Sequence, residues 1–544
     1  MSTNPTSHRP TMLAAAGLTV ALVLTYVRLY FCVDLSDEGL WVALPYAYLL
    51  GHRPYIDELT VYQGLGLITL PWVKLWVTVA GSHGLVLFTR HLWLAYACGV
   101  GYTLWRSLGD QVEPGVRLAL VALLITFYPS SHTNLSYTLA GAYGVQMGTL
   151  LLYWAQTSRH PGRLVALAVL FELTAVFAYP PTGLACLVSA GLGIYALSKR
   201  VERRQLLTWL AVTGAGLAII GLAVVGYAGL ENLGRILGGG AASGVLPFGS
   251  GRMRMNWAMV TTWWPAGLAL LVSLLVCLRV EAPWLAALLV AVAVGASLAV
   301  SGYPFGPVLP LHVYLPLFAL VMLVRCPADQ RASAAVVLVP GLVLGATMTV
   351  LATVGIVAGA IGSFVAGLFA LANLSRQKPV MPLLICLLVA QLWASYHYTY
   401  HEDPIQRLTA RVPVGPFAGL YTTPEKLANI LQMAAGLERI AGQGKTIFFY
   451  DEFPCGYLFT QRRPQTPALQ TSMRLFHQYD RTAILKEFER RGFPEVVVQM
   501  KRHLVTTQMM LVYPDTPDPL VSYFGEPRYA NAVETADYII WLKR

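Results

Sequence analysis

Apolar runs long enough to cross a bilayer recur through the first 397 residues, with short polar connections between them. Candidate spans cover approximately 11–31, 84–105, 116–129, 137–155, 162–178, 181–197, 207–229, 257–278, 284–301, 308–325, 333–351, 353–373 and 380–397. The pairs within 162–197 and 333–373 admit other divisions, so the expected number of spans is 11–13. Residues 398–544 read differently. Thr423 is placed to cap a helix from Pro424 to about Ile440, Thr446 to Tyr450 is a strand, Asp480 to Arg491 is an amphipathic helix stopped by Gly492, and Val496–Met500 and Tyr538–Leu542 are further strands. This rhythm predicts a small, partly parallel α/β domain. The expected fold is therefore a polytopic α-helical membrane protein, residues 1–397, with a small C-terminal α/β domain, residues 398–544.

Charge fixes the expected orientation. Arg106, Arg117, Arg159, Arg163, Arg203, Arg204, Arg279, Arg325, Arg331 and Arg376 fall in connections that share one side if thirteen spans are counted, and this is the cytoplasmic side by the positive-inside rule. The opposite side receives loop 32–83, loop 230–256 and the C-terminal domain, which places that domain on the outer face of the membrane. In loop 32–83, Leu40–Leu50 and Leu65–Val79 read as short helices on or dipping into the interface, with Trp41, Trp72 and Trp76 at headgroup level. A turn between them carries Asp57 and Glu58.

Composition agrees with the pattern: 56% of the 544 residues are hydrophobic and only 12% charged, and the mean hydropathy is +0.57, which excludes an ordinary soluble enzyme. The net charge of +11 follows from the basic connections and needs no nucleic-acid groove. The seven cysteines occur singly, without a CxxC pair, so neither a disulfide framework nor a thiolate metal site is indicated.

The stretch Phe31-Cys32-Val33-Asp34-Leu35-Ser36-Asp37-Glu38-Gly39-Leu40 sets three acids just past the first span, at the expected outer surface. An enzyme working there has no soluble nucleotide donor, so an activated substrate must arrive through the membrane, and a lipid-linked phosphate or pyrophosphate fits. Arginine grips phosphate oxygens and stabilises a departing phosphate, and a carboxylate can take the proton of an acceptor hydroxyl. Loop 230–256 contains Gly238-Gly239-Gly240 and then Arg252 and Arg254, which suits either a gate closing on an anion or a simple linker. Ser130-Ser131-His132-Thr133-Asn134 reads either as a sugar-contacting turn or as a cap cluster. Glu172 within a span needs a partner or a cavity, and Tyr303 and His312 sit near the outer end of a late span. Asp34, Asp37, Glu38, Asp57 and His132 are hard ligands whose spacing matches no defined metal box, which leaves a divalent cation open and no cofactor assigned. In the C-terminal domain, Asp451 and Glu452 follow a strand end, where open α/β sheets bind ligands.

Asp37-Glu38 after the first span, the following Tyr46-Ala47-Tyr48-Leu49-Leu50-Gly51-His52-Arg53-Pro54-Tyr55, and the multispan body with an outer C-terminal domain together resemble the GT-C superfamily of integral-membrane glycosyltransferases. The likeness is to the bacterial branch that includes protein O-mannosyltransferases, aminoarabinose transferases of lipid A and rhizobial lipopolysaccharide transferases, over roughly residues 12–400. It implies a polyprenyl-phosphate sugar donor, a glycan, lipid or protein acceptor, and transfer with inversion. It also implies Asp37 as catalytic base, with Glu38 supporting it or binding acceptor. Asp34, Asp57, His132, Glu172, Arg252, Arg254, Tyr303 and His312 complete the expected substrate-binding set. The chain departs from the pattern at Glu58–Leu65 and at Phe177-Ala178-Tyr179-Pro180-Pro181, which lack the lysines found in relatives, and Arg252 or Arg254 would then serve the phosphate. Two other function classes compete: a flippase or transporter, which calls for an internal repeat and midplane charges, and a non-catalytic envelope assembly protein that uses residues 398–544 as its binding module.

Overall fold

The structure, a computed structural model, describes residues 8–58, 63–128, 133–198, 201, 203–234, 236, 250–279, 292, 295, 310–351, 356–376, 380–400, 402–441, 446–450, 453–466, 469, 481–500, 528–534 and 538–544. The helices before the C-terminal region include α1 (His8–Arg28), α2 (Asp37–Leu49), α3 (Gln63–Ala80), α4 (Leu85–Leu108), α5 (Pro114–Ile125), α6 (Tyr137–Ala155), α7 (Pro161–Ala178), α8 (Gly183–Leu197), α9 (Arg203–Ala228), α10 (Ser250–Arg279), α11 (Pro310–Arg325), α12 (Ala328–Leu351), α13 (Ile356–Leu374) and α14 (Met381–His397). Every predicted span coincides with one of them except 284–301, which lies almost wholly outside the described residues. By length and apolarity, six segments among the described residues suffice to cross a membrane: Thr11–Arg28, Pro161–Ala178, Pro180–Leu197, Leu206–Ala228, Gln330–Val350 and Ile356–Leu374. The chain is a multi-pass helical membrane protein.

Local chemistry sets the helix ends. Proline starts α5 and α7, where its missing N–H costs nothing, and Ser136 Oγ accepts from Leu139 N at 3.1 Å to begin α6. Tight bundle packing needs small residues where backbones meet. A Cβ at Gly362 would lie 2.9 Å from Gly345 N, so α12 and α13 touch through their main chains. Phe127 stacks on Phe364 at 3.8 Å in the bundle core.

After α14 the chain forms the pair β1 (Ala410–Arg411) and β2 (Tyr421–Thr422), then α15 (Pro424–Ala441), β3 (Thr446–Tyr450), α16 (Gly456–Thr460), β4 (Arg463–Pro464), α17 (Arg481–Arg491), β5 (Val496–Met500), β6 (Tyr529–Glu534) and β7 (Tyr538–Lys543). The larger sheet has the order β4-β3-β5-β7-β6. Its β3–β4 and β3–β5 pairs are parallel, and the β5–β7 and β6–β7 pairs antiparallel. Thr423 Oγ1 accepts from Lys426 N at 3.2 Å, which caps α15 as its position predicted.

The helices of loop 32–83 differ in kind. Residues Glu38 to Ala47 of α2 are all buried, Trp41 among them, so α2 is no surface helix and Trp41 is not at headgroup level. A single apolar cluster joins Leu40, Leu44 and Leu65 of α2 and α3 to Phe449, Tyr457 and Val498 of the C-terminal region. The helix is a wedge between bundle and sheet. Helix α3 differs, leaving Trp72, Leu75 and Val79 exposed.

Gly39 makes the wedge possible, because a Cβ there would lie 2.8 Å from Cys455 Cβ. Gly39→Ala is expected to lower stability in a thermal melt, despite a helix-propensity gain of about 1 kcal/mol. Gly17→Ala in α1, where a Cβ meets nothing within 4 Å, is expected to be neutral or stabilising. The reverse ranking would contradict this packing.

Candidate functional site

The segment that leaves α1 carries its carbonyls away from helical partners, and a single arginine collects them. Arg90 of α4 donates through Nη1 to Leu29 O at 2.6 Å and Phe31 O at 2.9 Å, and through Nη2 to Cys32 O at 2.8 Å. Its remaining donors meet Glu38, with Nε to Oε1 at 2.6 Å and Nη2 to Oε2 at 2.5 Å. All five guanidinium N–H groups are therefore used. Both side chains are buried, and Asn134 Nδ2 bridges Glu38 Oε1 at 3.3 Å and Thr89 Oγ1 at 2.9 Å. Burial pushes the Glu38 carboxyl above the ordinary carboxylate range, against the opposing pull of the Arg90 charge and hydrogen bonds.

Asp34 has a different task. Its Oδ1 accepts from Ser36 N at 3.0 Å and Ser36 Oγ at 2.8 Å, and its Oδ2 from Glu38 N at 2.7 Å. It lies before α2, not on a shared helical face with Asp37, and closes the first turn of that helix with an acid at the positive end of the dipole. The chain reaches this turn through Cys32, which adopts φ +80, a left-handed conformation uncommon for a residue with a side chain.

The segment after α14 clasps the same loop from the other side. Glu402 accepts from Val33 N at 2.8 Å and from Thr422 Oγ1, and Lys426 Nζ donates to Val33 O at 2.5 Å while lying 3.4 Å from Glu402. Cys32 N donates to Tyr421 O at 2.9 Å, and Tyr421 N to Tyr30 O at 2.6 Å. Asp37 sits in the first turn of α2, and it is the one acid of the three that is partly exposed. Tyr400 Oη donates to its Oδ2 at 2.5 Å. The arrangement offers one accessible carboxylate, held beside a phenol, above a buried and fully bonded ion pair.

The remaining expected residues disperse. Asp57 is tied by Arg53 (N at 2.9 Å, Nε at 3.0 Å, Nη2 at 2.9 Å), with Arg463 at 3.4 Å and Arg491 at 3.2 Å. Its neighbour Glu58 accepts from Leu469 N at 3.2 Å and faces His52 at 3.5 Å. This acidic turn latches the loop to β4 and α17. Burial works to raise the Asp57 pKa, but the Arg53 hydrogen bonds and the surrounding positive charge prevail and hold it at about 2. Glu172 is buried in α7, where its Oε1 accepts from Ser189 Oγ at 2.5 Å. His312 lies in the bundle core, edge-on to Phe127 and Phe364 at 4.9 and 5.4 Å. Arg252 and Arg254 belong to the first two turns of α10, and their side chains are outside the described residues, as are His132, Tyr303, Asp451 and Glu452. Among the described residues no three His, Cys, Asp or Glu side chains form a group able to hold a metal ion.

Sequence reasoning missed Arg90, although a charge inside the apolar run 84–105 is a signal that it must be paired. It also missed Tyr400, Glu402 and Lys426, which reach the loop from about 370 to 390 positions away with no local pattern to mark them.

Arg90→Met leaves Glu38 buried without its partner and is expected to cost about 3–5 kcal/mol, whereas the Arg90→Met/Glu38→Gln double variant should recover part of that loss in a double-mutant cycle. The Asp57 carboxyl is depressed in the folded state, so its stabilising share is present above the unfolded pKa near 3.8 and is lost as pH falls toward about 2. Asp57→Asn should flatten the acid limb of the stability curve in that window, and an unchanged limb would remove Asp57 from the latch. Compared with protein-family models and with curated proteins, the chain matches none.

Proposed function

We propose that the protein is an inverting, GT-C-type glycosyltransferase of a bacterial cytoplasmic membrane, moving a sugar from a polyprenyl-phosphate donor to an extracytoplasmic glycan, lipid or protein acceptor. One observation carries this reading. Of the three acids beside the end of α1, Asp34 and Glu38 are buried and bound to Ser36 and Arg90, while Asp37 stays partly exposed at the junction of bundle and C-terminal region.

In this reading Asp37 accepts the proton of an acceptor hydroxyl as that oxygen attacks the anomeric carbon. The glycosidic C–O bond to phosphate breaks, and polyprenyl phosphate leaves with the bonding electron pair. Attack opposite the leaving group inverts the anomeric centre. Tyr400 orients the Asp37 carboxylate by its hydrogen bond, and Glu38, locked to Arg90, fixes the helix that presents Asp37. Arg252 and Arg254 are assigned to the departing phosphate, whose charge they would stabilise. The donor's prenyl chain stays in the bilayer, which is why no nucleotide is required.

The test supplies the purified protein, reconstituted in lipid, with a panel of polyprenyl-phosphate sugars and follows donor consumption. Asp37→Asn is expected to reduce turnover by about 10²–10⁴-fold, the usual share of a general base, with donor binding retained. Tyr400→Phe should give a smaller loss that appears in turnover. Unchanged turnover in Asp37→Asn removes it as the base, and equal consumption of nucleotide sugars overturns the membrane-donor reading.

A further inference from the structure

A groove of about 770 Å³ opens between the end of α3, the first turns of α4 and the β1–β2 segment. Its walls are apolar. Trp76 stacks on Phe88 at 4.6 Å, and Leu87 and the buried Val412 continue the surface. Its polar groups are of one kind: the exposed His83 and Arg411, and His91, with no Asp or Glu among the lining residues. Among the described residues Arg411 has no ion-pair partner. His91 Nδ1 lies 2.7 Å from Leu87 O. A carbonyl only accepts, so the Nδ1 proton is spent inside α4 and His91 offers the groove its ring face.

This groove is not the Asp37 site. At 100° per residue, Gly84, Leu87, Phe88 and His91 share one face of α4, while Val86, Arg90 and Trp93 point the opposite way, toward Glu38 and the core. At the start of α4, Gly84 N donates to Gly415 O at 3.0 Å, Leu85 N to Ser82 O at 3.2 Å and Val86 N to Pro416 O at 3.1 Å, so an anion here is held mainly by side chains. The groove adjoins surfaces that face lipid in a membrane protein: the exposed Tyr26 and Val27 end α1, and Tyr26 meets His91 edge-on at 5.5 Å. Trp72, Leu75 and Val79 are exposed on α3. Aromatic rings and a cation where an apolar helix surface ends match the headgroup level of a bilayer.

We propose that the groove binds an anionic glycerophospholipid of the surrounding bilayer. The lipid phosphodiester is held by Arg411 with His83, and its acyl chains lie along Leu87, Phe88 and Trp76. A free phosphate gains nothing from the apolar walls, and a zwitterionic lipid brings its own cation to a rim that already carries Arg411. The lipid would bridge α4 to the segment that supplies Tyr421 to the loop, bracing the junction between bundle and C-terminal region. This site stands whether or not the protein transfers sugars.

The full-length protein is placed in nanodiscs of phosphatidylglycerol and phosphatidylcholine in equal amounts, and lipids retained after transfer to detergent are identified by native mass spectrometry. Wild type is expected to retain phosphatidylglycerol about tenfold over its bulk ratio, as one charge-assisted contact allows. Arg411→Gln should return the ratio to that of the bulk. Arg411 is exposed, so the variant should melt as wild type does in lipid-free detergent, and His83→Gln provides a second, milder loss. Equal enrichment in Arg411→Gln, equal retention of phosphatidylcholine, or displacement by inorganic phosphate would overturn the proposal. Displacement by polyprenyl phosphate in preference to phosphatidylglycerol would overturn it too, since the groove would then be a donor site.

Discussion

The guanidinium of Arg90 and the carboxylate of Glu38 form a buried pair in which every N–H donor finds an acceptor. Desolvating two charges is costly, and a buried pair is by itself weak support for stability. Its value here is geometric. Three of the acceptors are main-chain carbonyls between Leu29 and Cys32, so one planar cation sets the path by which the chain leaves α1, turns at Cys32 and starts α2. A lysine offers three donors without the fixed fork and would leave carbonyls unmet.

With that path fixed, the other contacts fall into place around it. Asp34 caps α2, Glu402 and Lys426 grip Val33, and the β2 strand pairs with the end of α1 through Tyr421. Asp57 and Glu58 tie the turn after α2 to β4, α17 and Leu469. The segments on both sides of α2 are thus bound to the C-terminal region, and α2 is clamped between two bodies. Preorganisation of this kind is what a reacting carboxylate needs, because a small displacement of a catalytic group costs orders of magnitude in rate. Asp37 sits on the clamped helix, partly exposed, with Tyr400 hydrogen-bonded to its Oδ2.

Much of the fold was legible in the sequence because membrane helices and short strands announce themselves through local pattern. Apolar length marked the spans, Thr423-Pro424 marked the start of α15, and Gly492, with φ +92, marked the stop after α17. The burial of α2 was not legible. Leu40 to Leu50 is apolar enough either to lie on a bilayer or to fill a protein interior, and only the sheet brought against it by residues 412–540 decides between them. The site was legible in part for the same reason. The triplet of acids stood out, but their separate tasks depend on Arg90, Tyr400 and Ser36, and two of those three partners are distant in sequence. A charge such as Arg90 in an apolar run is a local signal that names no partner, while Tyr400 carries no signal at all.

In the proposed reaction one acid of this triplet faces the reactant while the other two hold the structure. Carbodiimide coupling of an amine to carboxyl groups, read residue by residue by mass spectrometry on the native protein in lipid, measures that division. Asp37 should be labelled in the native state, with Asp34 and Glu38 protected until the protein is unfolded. Labelling of Glu38 as fast as Asp37 in the native wild-type protein would contradict it.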